Sequence, residues 1–331
     1  MMKIYVKRLI TAILFIAGLW GMIILSSNLF APKSNEPDNG MEFAEANGIL
    51  GEKKNTIDVL FLGDSETYAS FIPLQIWNDT GYTSYVCGTS GQTLDYTNVM
   101  LSRALESQTP RIVFLETHTI FRDQTRDDYL YTRLCDQYDV FRYHDRWKTF
   151  QKDELNQKPV YTWTDDNKGF RFSKTVKASK IKDHMAPTDE VAEILPINRT
   201  CVDRIKKACD EIGAKLVFVS TPSTKNWNFS RHNAMVEYAR EMECEYYDMN
   251  LMPDDIKINW KKDTKDEGDH LNYYGAKKVT TQISQYLVKS GILSSHKSDP
   301  SYKSWDEAYE RFKKQIPKKK TNNKKKKKNQ G

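Results

Sequence analysis

The chain has 331 residues, 39% of them hydrophobic and 12% aromatic, which is enough for one large domain, or a domain with a sizeable insertion, to bury a core. Its formal charge is +6, yet eight lysines fall in the closing PKKKTNNKKKKKNQG, and without them the balance is about −2; the basicity belongs to a tail and does not argue for a nucleic-acid-binding domain. Five cysteines, Cys87, Cys135, Cys201, Cys209 and Cys244, show no CxxC and no regular spacing, so neither a zinc site nor a disulfide framework is indicated.

After a basic start over residues 1–8, residues 9–31 read LITAILFIAGLWGMIILSSNLFA without a charge. As a helix this run spans roughly 34 Å, against a hydrocarbon thickness of about 30 Å. Lys3, Lys7 and Arg8 precede it, and Lys33, Glu36, Asp38 and Glu42 follow, so the positive-inside rule puts the start in the cytoplasm and the rest outside. A cleaved signal peptide is the competing reading. The run is longer than a usual signal core and no A-x-A closes it, so an uncleaved single-pass anchor in the cell membrane is the expectation.

Beyond a linker over 32–55, short β-branched or aromatic runs at 57–62, 83–87, 111–116, 215–220 and 244–249 have the length of buried parallel strands. Helix-period segments lie between several of them: 94–105 shows Leu94, Val99, Leu101 and Leu105, and 198–212 shows Cys201, Ile205, Ala208 and Ile212, closed by Gly213. A last helix is expected over about 274–287. This is a doubly wound α/β layout with a five-stranded parallel sheet, spanning 56–295. Residues 117–195, rich in Tyr, Trp, Arg and Asp and without a strand core, interrupt it and read as a lid or substrate-binding insertion. Residues 296–317 remain as a C-terminal segment. The run 318–331 cannot pack and is expected to be disordered.

The first strand runs straight into Gly63-Asp64-Ser65. Ligands of open α/β sheets gather at the carboxyl ends of the strands, which places Ser65 on that edge, at the start of the next helix. A serine there serves equally as a helix cap or as a nucleophile whose own backbone N–H faces a developing oxyanion. Near the other end, KDEGDHLNYYGAKKVT puts an acidic cluster before His270. A nucleophilic serine needs a general base, and the base needs an acid, so the two segments together point to Ser-His-acid chemistry.

These blocks resemble the SGNH (GDSL-type) hydrolases: VLFLGDSETYASF is similar to their first block, YVCGTSGQ to their second and GDHLNYYGA to the closing block with the histidine. Together they resemble a membrane-anchored bacterial branch that includes the teichoic acid D-alanyl-transfer protein and polysaccharide O-acetyltransferases. The resemblance implies Ser65 as nucleophile, His270 as base, and the backbone N–H groups of Ser65 and Gly88 as an oxyanion hole. It also implies a cell-wall or capsular polymer as substrate and a membrane-bound O-acyltransferase as partner, with no cofactor and no metal. Two departures stand out. The family's Gly-x-Asn-Asp block is replaced by LETHTIF, so a third oxyanion donor is missing or comes from Thr117 or His118. The usual acid position, three before the histidine, is Glu267, while Asp266 is the shorter acid four before it; Asp266 is the choice, with Glu267 the alternative and adjacent Asp269 poorly placed. Acyl transfer or ester hydrolysis on a surface polymer is the expected function. A non-catalytic polymer-binding protein on the same fold is the alternative.

Overall fold

In the computed structural model, residues 2–150, 152–251 and 257–316 are described; the lysine run from 318 lies outside them. Helix α1 (Met2–Phe30) and the single turn α2 (Ala44–Asn47) precede the sheet. Then come β1 (Val59–Gly63), α3 (Ser65–Ser70), α4 (Pro73–Thr80), β2 (Ser84–Gly88), α5 (Leu94–Leu105), β3 (Ile112–Glu116), α6 (Arg126–Gln137) and α7 (Asp139–Tyr143). The chain closes with α8 (Pro196–Glu211), β4 (Lys215–Ser220), α9 (Phe229–Glu241), β5 (Glu245–Asp248), α10 (Tyr273–Ser290) and α11 (Lys303–Lys313).

All five strands run parallel in the order β2-β1-β3-β4-β5. The expected strands are those observed, with ends displaced by one or two residues where pairing with a neighbour begins. Side chains alternate across the sheet. Leu60, Leu62, Val113, Leu115 and Phe218 enter one core with α5, α8 and α9. Val59, Phe61, Phe114 and Val219 enter the other with Phe71 and the Val279, Ile283, Leu287 face of α10. Such two-sided burial explains why the strand runs are apolar without alternation. Helix α8 opens on Pro196, whose missing N–H costs nothing there, and Gly213 follows its end at φ +70°.

The 117–195 segment holds no strand among its described residues. Its first half forms α6 and α7, and α6 starts with a reciprocal capping box between Thr125 and Asp128. Its second half is an extended strap. The Lys168 carbonyl accepts from Val86 N–H on the free edge of β2 at 2.9 Å, Lys177 N–H donates to the Thr264 carbonyl, and Tyr273 N–H donates to the Ser173 carbonyl. The strap therefore ties a sheet edge to the loop that carries His270.

Helix α1 is long and apolar enough to cross a membrane. Its last turn rests on the insertion, where Arg146 donates to the carbonyls of Phe30 and Ala31 at 2.9 and 2.7 Å, a cation at the negative end of the helix. The segment 296–317, read only as an extension, contains α11. Trp305, Ala308 and Phe312 are buried along one face of it, and Trp77 Nε1 donates to Asp306.

Candidate active site

From β1 the chain moves to β2 on one side and then to β3 on the other, so the β1/β3 boundary is the topological switch point where α/β sheets open a crevice. Gly63 ends β1 at φ +148°, and a Cβ there would stand 2.8 Å from Glu116 Cβ, so only glycine fits the turn. Asp64 then caps α3, accepting from Glu66 N–H at 3.0 Å. Ser65 is the first residue of that helix and 9% exposed. Gly88 pairs in register with Gly63, and a Cβ on it would stand 2.8 Å from the Asp64 carbonyl oxygen. The Gly88 backbone thus lies against the Ser65 turn.

His270 stands on a tight loop closed by a bridge between Thr264 and Leu271. The next two residues hold it. Leu271 is buried, and Asn272 caps α10 by accepting from Tyr274 and Gly275 N–H while donating to the Lys262 carbonyl. Across the sheet edge, His270 Nε2 lies 2.7 Å from Ser65 Oγ. On the other side of the ring, Nδ1 lies 2.6 Å from Asp266 Oδ2, and Asp266 Oδ1 accepts the His270 backbone N–H at 2.6 Å. Burial alone would raise the Asp266 carboxyl, but its hydrogen bonds and the charge of His270 hold it below the usual value.

Glu267, the alternative acid, is exposed at φ +66°, and Asp266 rather than Glu267 meets the ring. The left-handed turn at Glu267 and Gly268 places Asp266, four residues back, over Nδ1. Asp269 Oδ1 is 3.7 Å from Nδ1 and accepts instead from Asn226 Nδ2 at 2.6 Å. Thr117 and His118, the candidate third donors, are engaged elsewhere. The Thr117 hydroxyl pairs with Ser220, His118 N–H donates to Glu116, and His118 Nδ1 lies 2.9 Å from Asp64 Oδ2.

Three buried carboxyl groups surround the Ser65 turn, and sequence reasoning did not anticipate them as a group. Burial tends to raise Asp64, but the bond to His118 and the charges of His118 and Arg122 bring it below its ordinary value. Glu66 is raised well above its ordinary value by burial and then by Asp64 and Glu116, and Glu116 by burial and then by Asp64. Both shifts favour the protonated form of these two side chains over the charged one. The loop after β4 was also missed. Thr224 N–H donates to the Gly268 carbonyl at 2.8 Å, Ser223 Oγ to the Asp269 carbonyl, and Lys225 Nζ to the Asp266 carbonyl. Its polar run, TPSTKNWN, at the carboxyl end of a buried strand was the available signal.

Two groupings bring metal-ligand types together: Asp64, Glu116 and His118, and Glu66, Asp269 and His270. In the first, Arg122 and His118 share one oxygen of Asp64. In the second, both ring nitrogens of His270 are engaged with Ser65 and Asp266. Both sets are organised as hydrogen-bond networks.

No family model matches the sequence, and no curated protein matches it. Among solved structures, the chain is similar to a lipase/acylhydrolase from Enterococcus faecalis, at 12% identity and TM-score 0.37, over 71% of this chain and 96% of that one. It is similar to the psychrotrophic esterase EstA from Pseudoalteromonas sp., at 11% identity and TM-score 0.36, over 70% and 97%. A GDSL-like lipase from Bacteroides thetaiotaomicron gives 11% identity and TM-score 0.35, over 70% and 88%.

Proposed function

We propose that this protein is a membrane-anchored, extracytoplasmic serine acyltransferase or esterase acting on a cell-surface polymer. The observation that carries the reading is the continuous line from Ser65 Oγ through His270 to Asp266, with contacts of 2.7 and 2.6 Å. His270 Nε2 takes the Ser65 proton as Oγ attacks an acyl carbonyl, and Asp266 at Nδ1 holds the tautomer and the imidazolium that forms. The backbone N–H groups of Ser65 and Gly88 receive the oxyanion, each such donor being worth about 3 to 4 kcal/mol. The proton then passes from Nε2 to the leaving oxygen, and the acyl-enzyme is released to water or to a polymer hydroxyl by the same steps in reverse.

Helix α1 favours transfer over simple hydrolysis, since an enzyme that acylates surface polymers needs a donor brought through the membrane. The resemblance described above adds a membrane-bound O-acyltransferase as the source of that donor. The full-length chain in detergent micelles, incubated with p-nitrophenyl acetate and with a serine-directed fluorophosphonate, tests the chemistry: labelling that disappears in Ser65→Ala supports it. Absence of labelling at any pH, with or without membranes that supply the partner, favours a non-catalytic polymer-binding protein, a reading supported by the lack of a third oxyanion donor at Thr117 and His118. Anchoring has its own test. Deleting 318–331 should leave the protein in the membrane fraction at high and low salt, because screened lysines at about 1 kcal/mol each cannot match insertion of an apolar helix; release of this variant would overturn the anchor.

A further inference from the structure

We infer that Asn226 is a positioning residue that holds Asp269 off the His270 ring, so that Nδ1 is left to Asp266 alone. The inference rests on the catalytic reading of Ser65 and His270. Two carboxylates flank one ring nitrogen, Asp266 at 2.6 Å and Asp269 at 3.7 Å, and a small rotation separates the second from a competing bond. A ring pulled toward Asp269 would no longer present Nε2 to Ser65 Oγ at 2.7 Å.

What prevents this is one amide. Its two N–H donors are divided, one to Asp269 Oδ1 at 2.6 Å and one to Glu66 Oε1 at 2.7 Å. The residue is fixed at its own backbone as well, with N–H donating to Ser223 Oγ at 3.2 Å and the carbonyl accepting from Arg231. Glu66 supplies the fixed end of the bridge. It follows Ser65 directly, is 1% exposed, and has only Oε1 engaged; Oε2 is buried without a partner among the described residues. A buried carboxyl group left half-satisfied is costly, so its placement beside the nucleophile calls for a use. Anchoring Asn226 is such a use, because a rigid acceptor on α3 ties the loop after β4 to the helix that carries Ser65.

The test compares the rate of fluorophosphonate labelling of the full-length chain with that of Asn226→Leu, Asp269→Asn and the double variant. Asn226→Leu should label about tenfold more slowly or worse, since small misplacements of catalytic groups are expensive. Adding Asp269→Asn should restore most of the loss, because the competing carboxylate is gone; a merely structural role for Asn226 would not be rescued this way. Should Asn226→Leu fail to fold, Asn226→Ser, too short to span both acids, replaces it. A crystal structure of the variant decides the matter without activity: Asp269 moved into hydrogen-bond distance of Nδ1 supports the inference. Asp269 unmoved, or a loss that Asp269→Asn does not relieve, overturns it. Absence of labelling in the unmodified chain would instead sink the catalytic reading.

Discussion

Two histidine–carboxylate pairs flank the Ser65 turn at the carboxyl edge of the sheet. His270 and Asp266 meet at 2.6 Å, and His118 and Asp64 at 2.9 Å. In the first, the carboxylate is about one-third exposed and the ring's far nitrogen reaches a hydroxyl. In the second, the carboxylate side chain is fully buried, shares its oxygen with Arg122, and also caps a helix. Proton transfer needs a ring with a free task on its far side, whereas a buried aspartate needs cations to offset its desolvation. On the proposed mechanism the same two residue types would be reagents in one place and scaffold in the other.

The largest effects should fall on the first pair. Ser65→Ala and His270→Ala should each remove fluorophosphonate labelling and ester turnover by several orders of magnitude, with the double variant scarcely worse, because the residues act as one unit. Losses that multiply would mean the two do not share a step. Next comes the acid. Asp266→Asn should cost about 10³ to 10⁴ in turnover, by presenting the wrong partner to Nδ1, while Glu267→Gln and Asp269→Asn cost little. A larger loss from Glu267→Gln would reassign the role.

The second pair should respond in stability. His118→Ala removes one of the two side chains that meet Asp64 Oδ2 and should destabilise the fold by about 2 kcal/mol in denaturant titrations. Loss of labelling with unchanged stability would show that His118 works in the chemistry after all.

The smallest effect concerns pH. Glu66 and Glu116, raised in the folded protein, contribute stability that is complete below the ordinary carboxylate range and is lost as pH rises through their folded values. Asp64 and Asp266, lowered in the folded protein, contribute stability present above that range and lost as pH falls. Melting curves from about pH 4 to about pH 9 should therefore decline on both sides, and Glu66→Gln should flatten the alkaline decline alone. An alkaline decline that persists in Glu66→Gln and Glu116→Gln together would assign it to other groups.

Much of the sheet could be read in advance because each strand announces itself locally. Runs such as VLFLG and IVFLE are apolar on both faces, which only a two-sided core demands, and glycine at position 63 marks the turn that lifts Ser65. Helix α5 was legible through its own periodicity. Helix α11 was not, though Trp305, Ala308 and Phe312 share a face, because a short apolar stripe among charges has no meaning until Trp77 is known to wait beneath it.

The chain alone determined that a serine and a histidine stand at the carboxyl edge of one sheet, since strand ends and helix starts are written in neighbouring residues. The tertiary structure decided which acid meets the ring, because the choice between Asp266 and Glu267 depends on the left-handed turn at Glu267 and Gly268. It decided, too, that His118 faces Asp64, that burial raises Glu66 and Glu116 well above the ordinary carboxylate value, and that Asn226 stands between two carboxyl groups. Such pairings join residues 43 to 160 positions apart, and hydrogen bonding and desolvation act through distance in space, which spacing along the chain does not encode.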